Sequence, residues 1–283
     1  MREIIAGIVT YNPDVGTLKT NILALMSQVK ELCIVDNASA DVAKLEILLD
    51  EDLAGYNIHL IKNDGNKGIA TGLNQLIEYA HSTGYEWILT MDQDSTALPG
   101  MMDEYCRYLE YPDVAMITPC VLQSELDNST GDMEYIDKCI TSGCLTSVAA
   151  MQNIGGFDDN LFIDYVDFDA CVRLTKAGYR ILRVNKILIR HKVGNATPLK
   201  LFGRNIYIRG NLVEIYHEPV IRTYYLFRNL VIFMRKHGKD SRGFTSVPHI
   251  IWRAFLVVAC EKPKWPKIKA IVTGISDGIT YAL

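Results

Sequence analysis

Residues 86–95 read EWILTMDQDS, an apolar run, EWILTM, that breaks directly into two carboxylates one residue apart. A run this short and this apolar has the dimensions of an interior strand, so Asp92 and Asp94 fall at a strand's carboxyl end. Three earlier segments follow the same grammar. EIIAGIVT (3–10) leads into Thr10-Tyr11-Asn12-Pro13, ELCIV (31–35) into Asp36-Asn37-Ala38-Ser39, and NIHLIK (57–62) into Asn63-Asp64-Gly65-Asn66-Lys67-Gly68. Helical patterns separate them. The first starts at the N-cap candidate Asp14 and carries Leu18, Ile22, Leu25 and Met26. The second covers about 41–50, and the third runs from Ile69 to His81 with Leu73, Leu76, Ile77 and Ala80 on one stripe. Strand and helix in alternation predict an α/β fold with a mixed, mainly parallel sheet flanked by helices, and a ligand site at the strands' carboxyl ends.

Beyond Asp94 the pattern loosens. It suggests a helix near 99–110, a strand at 114–118, a polar loop at 123–132, mixed structure to about 191, and helices from Arg204 onward, with no internal repeat. The chain therefore divides into 1–203, itself two halves of about 1–95 and 96–203, and a C-terminal helical region at 204–283.

Composition narrows the class. A chain of 283 residues, 49% hydrophobic and 22% charged, buries about three quarters of its unfolded surface, which excludes disordered and fibrous proteins. The opening MREIIAGIVTYN turns polar too soon for a signal peptide, so a cytoplasmic location is expected. The seven Cys form no C-x-x-C pair and read as mostly buried thiols rather than a disulfide framework or zinc site.

The net charge of −4 conceals an asymmetry. Residues 219–269 hold 11 Lys or Arg against Asp240 and Glu261, a balance of +9, which leaves −13 for the remainder. That stretch is interleaved with Tyr224, Tyr225, Phe227, Phe233, Trp252, Phe255 and Trp265. It fits an anionic membrane surface, and equally a solvated basic face or a contact with a second copy in a homodimer; no nucleic acid is expected. Its longest apolar run, 250–260, contains Arg253 and falls short of the roughly 20 residues of a spanning helix.

Any one strand-end cluster is usually a capped turn, but four on one sheet edge indicate a nucleotide pocket. The glycine loop at 65–68 is no P-loop, and no G-x-G-x-x-G follows the first strand, which removes the usual anchors of kinase and dinucleotide chemistry. Asp92 and Asp94 are spaced for a hard cation, Mg²⁺ or Mn²⁺, shared with substrate phosphates. His191 ends a strand at 186–190 and is either structural or a further metal ligand. In FIDYVDFD (162–169), Asp164 and Asp169 read as N-caps or acids, whereas Asp167 among apolar neighbours is the better proton acceptor.

These motifs resemble family 2 glycosyltransferases of the GT-A fold, and within them bacterial rhamnosyltransferases. The resemblance spans nearly the whole chain. It rests on GIVTYNPD (7–14), VDNAS (35–39), NKGIATGLN (66–74), MDQDS (91–95), GGFDDNLFIDYVDFDACVRLTKAGY (155–179), His191 and YYLFRN (224–229). It implies transfer of a sugar, L-rhamnose from dTDP-L-rhamnose, to a hydroxyl of a saccharide or polyprenyl-linked acceptor, with inversion; UDP-hexose or galactofuranose donors are the alternative. By position, Thr10, Tyr11, Asn12 and Asp36 hold the base and ribose, Asn66, Lys67 and Gly68 line the donor pocket, and Asp92 and Gln93 adjoin it. Asp94 binds the metal, with His191 as its partner or as a diphosphate contact. Asp167 is the implied base. The family's Glu-Asp pair falls on Val166 and Asp167, so the Glu is missing and Asp164 becomes a candidate for its role.

Overall fold

The computed structural model describes residues 4–191, 196–201, 204–208 and 211–283. It divides into two compact units. The first comprises residues 1–162 and 166–192; the second comprises 163–165 and 193–283.

In the first unit, β1 (Ile4–Thr10), β2 (Leu32–Asp36), β3 (Ile58–Lys62) and β4 (Trp87–Asp92) alternate with α1 (Val15–Met26), α2 (Val42–Ile47) and α3 (Gly68–Ser82). β1 and β2 are buried on both faces, as their unbroken apolar runs require of central parallel strands. Asp14 caps α1 by accepting from the Thr17 N–H at 2.8 Å, and Leu18, Ile22 and Leu25 carry the helix onto the core. β5 (Ser95–Ala97), α4 (Met101–Cys106), β6 (Val114–Cys120), α5 (Gln123–Asp127), β7 (Met133–Ile136), β8 (Cys144–Ser147), α6 (Val148–Asn153), α7 (Val166–Lys176), β9 (Arg180–Ile187) and β10 (Ile189–His191) follow.

Eight of these strands form one sheet in the order β3-β2-β1-β4-β8-β6-β9-β7. The β3-β2-β1-β4 block is parallel, and so is the β6-β9 pair. β8 lies between them, antiparallel to both β4 and β6. The parallel block brings the ends of β1, β2, β3 and β4 to one edge, because Thr10 is in register with Asp36, Asp36 with Lys62, and Val9 with Asp92. The expected loop at 123–132 contains the short helix α5, whose Glu125 accepts from the Val121 and Leu122 N–H groups at 2.7 and 3.0 Å.

In the second unit the expected helices from Arg204 are corrected. The described residues among 196–216 form short antiparallel ladders: Ala196–Pro198 with Glu214–Tyr216, Lys200–Leu201 with Arg204–Asn205, and Tyr207–Ile208 with Asn211–Leu212. Strands of two or three residues leave no periodicity to read. Helices begin only at α8 (Val220–His237), followed by α9 (Val247–Cys260) and α10 (Lys264–Thr280). Phe227 of α8, Val257 of α9 and Ile271 of α10 form their common core. Glu261 and Lys267, both almost fully buried, make an ion pair beside it.

Residues 163–165 belong to this unit because α8 grips them. Asp164 and Tyr165 have φ of 64° and 65°, left-handed values that cost a non-glycine residue about 1 kcal/mol or more. The fully buried carboxamide of Asn229 donates to the Ile163 and Asp164 carbonyls at 2.7 and 3.2 Å, and Arg222 pairs with the Asp164 carboxylate at 3.2 Å. Burial opposes the Arg222 charge, but Asp164 and Glu218 more than offset it and hold its pKa above the usual value. The Tyr165 ring packs on Phe233 at 5.2 Å between centroids.

Candidate active site

The carboxyl edge of the parallel block is stitched by side chains that reach from one strand end to the next. Asp36, 1% exposed, accepts from Thr10 Oγ1 at 2.9 Å, Ser39 Oγ at 2.5 Å and the Ser39 N–H at 2.8 Å. The carboxylate is thereby fixed at the rim, while Tyr11 projects into solvent. Asn12, at φ 48°, donates its N–H to Ser39 Oγ and accepts from the Ala40 N–H, both at 2.8 Å.

Gln93 closes the other side of β1. Its Oε1 accepts from the Tyr11 N–H at 2.9 Å and its Nε2 donates to the Tyr11 carbonyl at 3.3 Å, so one amide continues the ladder between β1 and β4 past the strand ends. Asn21 of α1 donates to the Gln93 carbonyl at 2.8 Å and accepts from Thr96. The turn bearing Asp92 and Asp94 is therefore clamped on both flanks, with Asp92 half-buried and Asp94 exposed.

Ser142 reaches in from the turn before β8. Its Oγ accepts from the Asp92 N–H at 3.2 Å and donates to Ser95 Oγ at 2.9 Å. β10 runs antiparallel to β5 with His191 in register with Ser95, which brings the His191 backbone beside the D-x-D turn; its side chain lies outside the described residues.

The glycine loop divides into parts with separate tasks. Lys67 pairs with Asp64 at 3.0 Å on the surface, and this lysine holds the Asp64 carboxyl below its ordinary range. Asn66 Oδ1 accepts from the Gly68 N–H at 3.0 Å. Gly68 has φ +85°, its carbonyl accepts from Asn37 Nδ2 at 2.9 Å, and the next N–H, that of Ile69, donates to the Phe162 carbonyl at 2.6 Å. A Cβ on Gly68 would stand 2.6 Å from that carbonyl and 2.8 Å from the Phe162 Cα. Gly68→Ala thus combines a forbidden φ with a backbone clash; we expect it to lose about 2–4 kcal/mol of stability, read by denaturant unfolding.

Phe162 is the last residue of the first unit before the chain re-enters it at Val166. The half-buried Asp167 lies in the first turn of α7. The remaining acids of that motif have structural partners. Asp169, fully buried, accepts from Arg173 Nε at 2.7 Å, and Arg173 Nη1 donates to the Ile154 carbonyl at 2.7 Å. Asp164 is the partner of Arg222. Among the described residues no three His, Cys, Asp or Glu side chains converge as a metal cluster.

Asn74 is a positioning residue whose role the sequence does not disclose. Its Oδ1 accepts from the Phe157 N–H at 2.7 Å, and its Nδ2 donates to the Phe157 carbonyl at 2.9 Å and to Asp159 Oδ1 at 2.8 Å. It fastens the loop that precedes Phe162 to α3. A polar residue near an otherwise apolar helical stripe is the only local signal. Of the seven thiols, Cys106 is exposed and Cys260 half-buried, with the other five buried; burial and the nearby Glu31 push Cys33 up to about 12.

A parallel edge rimmed by polar side chains, an antiparallel strand dividing it from the second half of the sheet, and an acidic turn at the division are the architecture of the GT-A fold. The family described as glycosyl transferase family 2 matches residues 6–150, and the chain belongs to it. It is 28% identical to the dTDP-rhamnosyl transferase RfbF of Shigella flexneri across 98% of this chain and 95% of that one. Among solved structures, the mannosyltransferase PcManGT of Pyrobaculum calidifontis, in complex with GDP-Man and Mn²⁺, matches with TM-score 0.57 and 16% identity, covering 100% of this chain and 77% of that one. S. aureus TarS 1-349 in complex with UDP-GlcNAc gives TM-score 0.56 and 13% identity, over 98% and 81% of the two chains. These two likenesses are of fold.

Proposed function

We propose that this glycosyltransferase moves L-rhamnose from dTDP-L-rhamnose to a hydroxyl of a saccharide carried on a lipid, with inversion at the anomeric carbon. The donor reading is carried by one observation, the similarity to a dTDP-rhamnosyl transferase along almost the full length of both chains.

The rim built from Thr10, Tyr11, Asn12 and Asp36 is assigned to the base and ribose, with Asp92 and Gln93 beside them and Asn66, Lys67 and Gly68 lining the pocket. Asp167 takes the proton of the acceptor hydroxyl as that oxygen bonds to the anomeric carbon. The bond from that carbon to the diphosphate breaks on the opposite face, and its electron pair leaves with dTDP. One displacement suffices, and no covalent enzyme intermediate forms.

The exposed carboxylate of Asp94, with Asp92 two residues before it, suits Mg²⁺ or Mn²⁺, cations that draw most of their ligands from phosphate and water. Such a cation supplies charge stabilisation on the departing diphosphate. His191 is the candidate for a further ligand. A nucleotidyltransferase reading is disfavoured because Thr10-Tyr11-Asn12-Pro13 stands where a basic, glycine-rich loop is needed.

The test is a donor panel of dTDP-, UDP- and GDP-sugars with Mg²⁺ or Mn²⁺ and a polyprenyl-linked acceptor. dTDP release from dTDP-L-rhamnose alone is the expected result; preference for a UDP-sugar overturns the donor. Asp94→Ala should lower turnover by about 10²-fold or more and raise the metal concentration needed for half-maximal rate. An unchanged metal dependence would remove Asp94 from the metal's ligands.

A further inference from the structure

We propose that the solvent face of α9, together with the corner joining it to α10, is a docking surface for an anionic lipid bilayer, on which this unit lies without crossing. The sequence offers the whole basic segment from 219 to 269 for such a role. The structure makes a narrower selection. Phe227 and Phe233 are fully buried in the unit's own core, so they are withdrawn from any lipid contact.

The opposite holds for α9. Its inner side, Leu256 and Val257, is buried with Phe227 and Ile271. Its outer side is also apolar: Val247, Pro248, Ile251, Trp252, Phe255 and Ala259 are all exposed, Ile251 by 65% and Phe255 by 58%, and His249 is the one polar residue among the exposed positions of the helix. The Trp252 and Phe255 rings stack at 5.7 Å. A helix apolar on both sides is not built to face water, and a contiguous apolar face of this kind marks a contact surface.

The charge around that face identifies its partner. Lys262, Lys264 and Lys269 are exposed at the corner, around a Trp265 that is 80% exposed, and Lys239 and Arg242 are exposed just before α9. Across 238–269 the two carboxylates are Asp240 and Glu261, and Glu261 is turned inward against Lys267. An exposed tryptophan flanked by lysines beside an apolar helical face is the arrangement that inserts at a headgroup boundary while its cations meet lipid phosphates. A two-fold dimer through the same patch would set this cationic rim against itself with almost no carboxylates to neutralise it. Spanning is disfavoured by length: no single described helix is long and apolar enough, and in the one bent pair that passes by composition, α8 and the turn after it with α9, the α8 residues Phe227, Leu230, Ile232 and Phe233 are already buried.

This inference does not depend on the donor or acceptor proposed above. Its test uses the full chain with vesicles of phosphatidylcholine alone or containing about a third phosphatidylglycerol, followed by co-sedimentation and tryptophan emission. Trp87 is buried in β4 and gives a constant background, so a shift reports Trp252 and Trp265. We expect binding and a blue shift only with the anionic vesicles, and at least a ten-fold loss of bound fraction when salt rises from about 0.1 to 0.5 M. Phe255→Glu and, independently, Trp265→Glu should each lower binding about ten-fold while leaving the thermal melt and the far-ultraviolet circular dichroism unchanged. Should Phe255→Glu fail to fold, the far more exposed Trp265 carries the test alone. Equal binding to neutral vesicles, indifference to salt, or a dimer that Phe255→Glu dissociates without any vesicle binding would overturn the proposal.

Discussion

Asp167→Asn is expected to lower turnover by about 10³-fold or more while leaving the affinity for the nucleotide-sugar donor within about two-fold. The amide has nearly the shape of the carboxylate and keeps the hydrogen-bonding role of Oδ1, which accepts from the Phe168 N–H at 2.9 Å at the start of α7. It cannot accept a proton at neutral pH, and a positioned general base contributes about 10²–10⁴-fold. The donor's base, ribose and diphosphate are assigned to other residues, so their binding should survive. Single-turnover kinetics and calorimetry with dTDP-L-rhamnose separate the two quantities. Turnover near the wild-type rate would move the base outside the 162–169 motif. Asp164 and Asp169 are poor successors, since each is already paired with an arginine, Arg222 and Arg173 respectively.

Asn229→Ala is expected to cost about 2–4 kcal/mol, more than most single substitutions, because two consecutive carbonyls lose one donor. Those carbonyls belong to Ile163 and Asp164, in a stretch where Asp164 and Tyr165 hold left-handed conformations. The Asn229 carboxamide is oriented by its other atom, Oδ1, which accepts from Arg228 Nη1 at 3.0 Å, so the amino group faces the strained turn. Asn229→Asp, equal in size, should be nearly as harmful, since a carboxylate presents only acceptors to carbonyl oxygens. Denaturant unfolding of both variants checks this. A mild Asp variant beside a damaging Ala variant would mean that volume, not donation, matters at this position. Tyr165 leads through Val166 to Asp167, so turnover should fall further than donor affinity.

Much of the fold could be read from the chain because its first half is locally consistent. β1 is apolar up to Thr10 and buried from Ile5 onward, α1 has its cap and its stripe, and each polar cluster lies where a strand ends. The same locality exposed the D-x-D turn and the glycine loop. What stayed hidden depends on partners far away in sequence. β8 is only CLTS, too short and small to announce itself, yet it determines where the parallel order breaks. That Asn37 supports Gly68, that Gln93 extends β1, and that Asn74 holds Phe157 are hydrogen bonds across 31, 82 and 83 positions. In the tail, aromatic residues were visible but not which way they faced, and the two- and three-residue ladders before α8 carry no pattern at all.

The Asn74 junction bears on how such a chain tolerates change. A Cβ on Gly156 would fall 2.6 Å from Asn74 Oδ1, at a φ of +76° that side chains rarely adopt. A side chain at 156 would have to displace the Asn74 carboxamide from its bonds to Phe157, so positions 74 and 156 constrain one another. Through that junction, the helix that begins at the glycine loop and the turn ending at Phe162 are held at one spacing.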